Sequence, residues 1–247
     1  MSAKSSKVFF RELFPFTFVV LIWVVHILQG FFVHGLRDLA LLPRHIEGLY
    51  GIVFHPLLHA DFGHLFNNSI PLLVLGFLLY NAYKGIAGRI FFIIYFLTGI
   101  LMWFFARPSW HLGASGVVYG LAAFLFFSGI FRRHTKLMVI SMLVVFLYGS
   151  MVWGVLPLDP TVSWEGHLFG ALTGIMLAWV YRREGPQRPV YWKDEEDTDE
   201  EPAFAGDLDV EFEEVRSTAQ QNNENNSSSS SPLNIVYNYK DKNSELK

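Results

Sequence analysis

The chain has 247 residues, of which 52% are hydrophobic, 17% are aromatic and only 17% are charged. Soluble domains usually contain about a quarter charged residues, so this composition argues against a soluble protein. The chain contains no cysteine, which excludes disulfides, thiolate catalysis and cysteine metal sites. The formal net charge of -3 indicates little about partners, because the acidic residues are concentrated near the C-terminal end.

Six apolar segments have the length of membrane-spanning helices, which need about 20 mostly apolar residues. In chain order they cover roughly 13–34, 65–83, 89–106, 115–131, 137–157 and 167–182. The first is too long and too aromatic for a secretory signal, and we expect it to be retained. The sequence therefore predicts an all-α membrane protein with a six-transmembrane-helix bundle.

The distribution of basic residues predicts the orientation of the bundle. One side receives twelve of them: Lys4, Lys7, Arg11, Lys84, Arg89, Arg132, Arg133, Lys136, Arg182, Arg183, Arg188 and Lys193. The other side receives Arg37, Arg44 and Arg107. Because Lys and Arg accumulate in cytoplasmic segments, we predict cytoplasmic termini and a multi-pass protein of the cell (inner) membrane. Every even-numbered span then begins at the outer face.

The remaining segments complete the predicted domain organisation. Residues 1–12 are a short cytoplasmic N-terminus, and 13–183 form the membrane domain. The first loop, 35–64, is too apolar to be solvated, so we expect it to lie in the outer leaflet or to pack on the bundle as short helices. Residues 184–247 are acidic and then rich in Asn and Ser, a composition that predicts a disordered cytoplasmic tail.

Polar residues cluster at the starts of the even-numbered spans. Inside a membrane such residues are costly and therefore candidates for function. Span two begins with His64, Asn67 and Asn68, span four with Ser115 after Gly113 and Ala114, and span six with His167 after Gly166. All of these starts are expected on one side of the membrane, at similar depth.

Glycines spaced four apart predict which of these spans touch. They are Gly116 and Gly120 on span four, and Gly166, Gly170 and Gly174 on span six. Small residues at this interval let two helix backbones approach closely. If the two stripes face each other, Ser115 and His167 lie on either side of one contact.

This arrangement suits nucleophilic catalysis. A serine hydroxyl needs a base, and histidine has a suitable pKa of about 6.5. Unpaired N–H groups at a helix N-terminus can stabilise an oxyanion, and His64 and Asn68 share a helix face from which both can donate. Tyr119, one turn below Ser115, is placed to support the imidazole. Glu165 is two positions from His167 and should point elsewhere, so we predict a Ser–His dyad.

The motifs resemble those of the rhomboid proteases over roughly residues 14–182. They are His64-x-x-x-Asn68, Gly113-Ala114-Ser115-Gly116 with Tyr119, and Gly166-His167-x-x-Gly170-x-x-x-Gly174. The resemblance implies catalytic Ser115 and His167, an oxyanion site with His64, Asn68, Gly113 and the Ser115 amide, and help in hydrating the cavity from His55 and His59. It also implies transmembrane protein substrates cut near the outer face. The Trp-Arg pair that bacterial members usually carry in the first loop is missing here.

Other interpretations remain open at this point. Ser115 could be a helix N-cap, and the glycines could serve packing alone. Asp61 is expected to cap span two, and His111 to lie at a water interface without a special role. The histidines lack an H-E-x-x-H helix, so we predict no metal site. We also predict no cofactor and no nucleic-acid partner. The alternative function is a catalytically inactive rhomboid-like factor that binds membrane proteins, and the sequence makes no prediction of oligomeric state.

Overall fold

The computed structural model describes residues 13–31 and 36–187, and these fold as helices, without β-strands. The six long helices are α1 (Phe14–Phe31), α2 (Phe62–Ala82), α3 (Ala87–Phe105), α4 (Ser115–Arg132), α5 (Thr135–Tyr148) and α6 (Trp164–Val180). A 3₁₀ helix, Gly149–Val155, continues α5. The predicted N-terminal segment 1–12, and the predicted tail from residue 188 onward, lie outside the described residues.

Five of these segments are long and apolar enough to cross a membrane. They are the first four helices and α5 together with its continuation, Thr135–Val155. The sixth, α6, has 17 residues, at the short end of the range for a spanning helix. The prediction of an all-α membrane bundle is confirmed. The start of α6 was predicted three residues too late, at 167, because polar residues occupy its first turn.

Helix α4 is the centre of the bundle. More than half of its span (56%) is buried, against 11% for the span formed by α5 and its continuation. The glycine stripes of α4 and α6 face each other. A methyl group added at Gly170 would lie only 2.0 Å from the Gly116 carbonyl oxygen, and one at Gly174 only 2.2 Å from that of Gly120. Only glycine permits this approach, which brings the two helix starts together.

The first loop packs on the bundle as short helices, one of the two arrangements that the sequence predicted. They are Arg37–Leu39, Ile46–Tyr50, Gly51–Phe54 and His55–Leu57. Leu41 pairs with His111 through two backbone hydrogen bonds of 3.0 and 2.8 Å. Trp103 of α3 donates its indole N–H to the His45 carbonyl at 3.1 Å, and the Tyr95 hydroxyl donates to the Val53 carbonyl. The loop thereby becomes a fixed part of the fold.

Candidate active site

Ser115 and His167 form the contact on which the site is built. Ser115 is the first residue of α4, and His167 lies in the first turn of α6. The close packing of the two helices leaves the Ser115 Oγ and the His167 Nε2 2.9 Å apart, at hydrogen-bond distance. A hydroxyl and an imidazole nitrogen in this geometry can exchange a proton.

A backbone carbonyl determines the tautomer of His167. Its Nδ1 lies 2.8 Å from the carbonyl oxygen of Gly154, in the 3₁₀ continuation of α5. A carbonyl oxygen can only accept, so Nδ1 carries the proton and donates it. This leaves a lone pair on Nε2, directed at the Ser115 hydroxyl. The imidazole is therefore oriented by backbone, a role that a carboxylate fills in a triad.

The Tyr119 ring covers one face of the His167 imidazole. Its ring stacks on that of His167 with centroids 4.1 Å apart and planes within 5°. Its hydroxyl donates to the Met151 carbonyl at 2.8 Å, which ties it to the same 3₁₀ segment as Gly154. The structure thus brings Tyr119, His167 and Ser115 together, as the helical spacing predicts.

The turn before Ser115 has a conformation that requires glycine. Gly113 has a φ of +114°, a region that L side chains rarely adopt. An added methyl group there would also lie 2.7 Å from the His64 Nε2. The Gly113 N–H donates to the His55 carbonyl at 2.8 Å. The turn is thereby held against the His64 ring, and Ser115 follows it as the first residue of α4, where backbone N–H groups have no partner within the helix.

His64 and Asn68 are on the same face of α2 and line the same cavity as Ser115 and His167. Asn68 donates its amide to the His64 carbonyl at 2.9 Å, so its donor is engaged within its own helix. Asp61 caps this helix by accepting from the His64 N–H at 2.8 Å, as predicted. That hydrogen bond lowers the pKa of Asp61 and keeps its side chain ionised.

The cavity has a volume of about 790 Å³, within the range of pockets that enclose small ligands. Its wall includes the dyad, the start of α2 and the α5–α6 loop, residues 156–163. The loop and Ser115 therefore face one cavity. Within the described residues, no group of three His, Asp or Glu side chains could hold a metal ion.

His55 and His59 support the serine turn from the first loop. His55 contributes its carbonyl, and the His59 Nε2 accepts the Ala114 N–H at 3.5 Å. Both rings are buried. Burial lowers the pKa of His55 to about 4 and that of His59 to about 3. Both are neutral near pH 7, and the role in hydration that the resemblance implies stays a prediction.

Residues 47–184 match the family model of the rhomboid domain, which covers more than half of the chain. The chain belongs to the rhomboid family. This rhomboid is 38% identical over 175 residues to the uncharacterized protein Rv1337 of Mycobacterium tuberculosis, covering 66% of this chain and 72% of the relative. It is 28% identical over 136 residues to the putative rhomboid protease YdcA of Bacillus subtilis, covering 50% and 63%. It is 32% identical over 141 residues to RHOMBOID-like protein 4 of Arabidopsis thaliana, covering 52% and 36%.

Family membership places this rhomboid among integral membrane proteins that are intramembrane proteases or rhomboid-like proteins. The combination of a matching domain and long apolar helices supports a membrane location. The geometry of the site, rather than family membership, bears on whether this rhomboid is an active protease or an inactive member of the family.

Several polar residues of this rhomboid that border the cavity were not foreseen from the sequence. For His111 the expected position at a water interface is wrong, and the expectation that it has no special role stays a prediction. It is buried, and its Nδ1 lies 2.6 Å from the Ser163 Oγ. Glu165, which was expected to point away from His167, is buried beside Arg107, with 3.5 Å between Oε1 and Nε. A charged residue at the start of α6 was the available signal, since a buried acid requires a partner.

Proposed function

We propose that this rhomboid is an intramembrane serine endopeptidase with Ser115 as nucleophile and His167 as general base. The observation that carries the proposal is the 2.9 Å contact between the Ser115 Oγ and the His167 Nε2. The Gly154 carbonyl supports it by fixing the tautomer that can accept the serine proton. A structural N-cap serine would have no need of an oriented imidazole.

The proposed reaction follows serine hydrolase chemistry. The Ser115 Oγ attacks the scissile carbonyl carbon while His167 takes the hydroxyl proton. The tetrahedral oxyanion is stabilised by the Ser115 amide at the start of α4, with Gly113 shaping the turn. His167 then protonates the leaving amine as the C–N bond breaks, and a water molecule, deprotonated by His167, hydrolyses the acyl-enzyme.

His64 and Asn68 are proposed as the side-chain donors to the oxyanion. The His64 ring already lies against Gly113. The Asn68 amide donates one N–H to the His64 carbonyl, and its second N–H would donate to the substrate oxyanion. An amide has two donors, so it can retain the first hydrogen bond. Gly116 and Gly170 support the site by keeping α4 and α6 in contact.

The proposed substrates are transmembrane proteins, reached from the surrounding lipid. The cavity is lined partly by α2 and partly by Tyr148 and Met151 at the end of α5 and in its continuation. A helical segment must first unwind there, because its carbonyls are hydrogen-bonded, and small residues ease unwinding. If both termini are cytoplasmic, the starts of α4 and α6 lie toward the outer face. Cleavage would then occur near that face. The predicted bounds of the membrane domain, 13–183, remain part of this proposal.

A reporter experiment tests the proposed activity. Purified protein in liposomes is given a single-span peptide with Gly and Ala residues near its outer end and a fluorophore–quencher pair across them. We expect cleavage by the wild type and a loss on the order of 10³ or more in Ser115→Ala and His167→Ala. Ser150→Ala is the matched control, because Ser150 is exposed on the α5 continuation.

Two outcomes would contradict the proposal. Cleavage that persists in Ser115→Ala would assign the activity to another group or to a contaminant. A folded wild type that cleaves no reporter and binds it intact would favour the inactive, membrane-protein-binding alternative.

A further inference from the structure

Arg107 connects the α3–α4 loop to the α5–α6 loop. Its Nη2 donates to two carbonyl oxygens of the latter, Pro160 at 2.9 Å and Val162 at 2.7 Å. Its Nε also lies 3.4 Å from the Ser109 Oγ. The planar guanidinium can serve several acceptors at once in a fixed geometry, which a lysine cannot do. One side chain thus fixes the course of the α5–α6 loop.

Glu165 holds Arg107 from the other side. Its carboxylate is buried, with 3% of the residue exposed, and Oε1 lies 3.5 Å from the Arg107 Nε. The same oxygen accepts the Arg107 backbone N–H at 3.4 Å. A buried carboxylate needs a compensating cation, so Arg107 is strongly confined to this position. Because Glu165 belongs to the first turn of α6, the pair also joins the α3–α4 loop to the helix of His167.

Further hydrogen bonds order the α5–α6 loop itself. The Ser163 hydroxyl lies 2.6 Å from the His111 Nδ1, while the His111 Nε2 lies 3.1 Å from the Arg107 carbonyl. Asp159 accepts from both the backbone N–H and the hydroxyl of Thr161, at 2.8 and 2.6 Å. The loop is therefore ordered before any substrate is bound, and its residues 160–163 line the cavity.

We propose that Arg107 and Glu165 are positioning residues that hold the α5–α6 loop as a preformed wall of the substrate site. The inference rests on the proposed protease function and deepens it. A wall that is already ordered spares the substrate the entropic cost of ordering it on binding. The pair therefore acts on the binding of a long polypeptide segment, and it leaves the reaction of Ser115 with a small reagent unchanged.

The test compares KM with kcat for the single-span reporter in liposomes. In Arg107→Gln and Glu165→Gln we expect KM to rise by about threefold to tenfold with kcat within about twofold. Arg107→Lys keeps the charge without the forked donors and should give an intermediate KM. Arg89→Gln is the matched control. It removes an arginine from an exposed pair with Glu184, at 3.0 Å, far from the cavity, and should leave KM unchanged.

A small fluorophosphonate, which does not need the wall, provides the second measurement. Its rate of labelling Ser115 should stay within about twofold of wild type in all these variants. Labelling and thermal stability that fall in parallel with cleavage would reduce the pair to a structural role and overturn the proposal. An unchanged or lower KM in Arg107→Gln would overturn it as well.

Hydrogen exchange tests the wall without any substrate. The amides of residues 158–163, apart from Pro160, should exchange faster in Arg107→Gln than in wild type, while those of α4 should not change. Equal protection in the α5–α6 loop would contradict the proposal. Failure of the protease function is distinguishable, because reporter cleavage and serine labelling would then be absent from the wild type itself.

Discussion

The imidazole of His167 is held by three contacts that differ in their chemistry. The Ser115 hydroxyl and the Gly154 carbonyl bind its two nitrogens, and the Tyr119 ring covers one face. Two of these partners were foreseeable from helical spacing. The third is a backbone carbonyl, which every residue has, so no side chain in the sequence indicated it.

Gly154 tests whether this carbonyl orients the base. A methyl group at position 154 would meet the Tyr119 hydroxyl and lie 3.2 Å from the His167 Nδ1. We expect Gly154→Ala to displace the ring and to lower reporter cleavage by about tenfold or more. Gly149→Ala, whose methyl group would make only an ordinary 3.6 Å contact with Val145, is the control. Equal activity of the two variants would argue against backbone orientation of His167.

Gly113 tests the oxyanion turn. Its φ of +114° and its contact with the His64 ring both exclude a side chain. We expect Gly113→Ala to reduce kcat by about 10²–10³, the usual effect of losing an oxyanion donor. Gly85→Ala is a suitable control, because an added methyl group there has no neighbour within 4 Å. Retention of full activity in Gly113→Ala would remove the turn from the proposed mechanism.

The buried histidines of the first loop predict how stability depends on pH. The pKa of His55 is about 4 and that of His59 about 3 in the folded state, against about 6.5 for an unperturbed histidine. Between these values the unfolded chain binds protons that the folded chain does not. Stability should therefore fall as the pH decreases from about 6.5, and level off below about 3.

Thermal unfolding in detergent between about pH 7 and pH 5 measures this dependence. His59→Gln should flatten the slope of the midpoint against pH, because one buried titrating group is removed. His45→Gln, at an exposed position of the same loop, should retain the wild-type slope. Identical slopes in both variants would show that His59 does not titrate as its burial requires.

At the scale of helices, α5 and its continuation differ from the rest of the bundle. Only 11% of this span is buried, and its aromatic side chains point outward, with Phe146 85% and Trp153 65% exposed. The same segment carries the Gly154 carbonyl and lines the cavity through Met151. It is thus loosely packed and yet in contact with the site, which makes it the candidate for a mobile gate.

Aromatic truncation tests this gate. We expect Phe146→Ala and Trp153→Ala to change reporter turnover by at least about twofold, since both rings lie on the exposed surface of the span that would have to move. Phe105→Ala on α3 removes a ring that is 66% exposed and does not line the cavity, and it is the control. Turnover that matches wild type in all three variants would eliminate α5 as the gate.

At the scale of the whole molecule, apolar length, basic flanks and glycine spacing were sufficient to predict a helical membrane bundle with Ser115 and His167 close together. They succeeded because membrane helices are constrained in length and direction, so few arrangements remain. The pairing of Arg107 with Glu165 could not be predicted. It joins the α3–α4 loop to the first turn of α6, whose approach depends on how the helices pack, and the sequence does not encode that distance locally.

The most direct measurement of the central claim locates the adduct of a fluorophosphonate by mass spectrometry. Purified protein in detergent is treated with the reagent, digested and mapped, alongside Ser115→Ala, His167→Ala and Ser150→Ala. The account predicts a single phosphonylated residue, Ser115, in the wild type and in Ser150→Ala, with labelling lost in the other two. An adduct on another residue, or undiminished labelling of Ser115 without His167, would contradict the Ser115–His167 dyad.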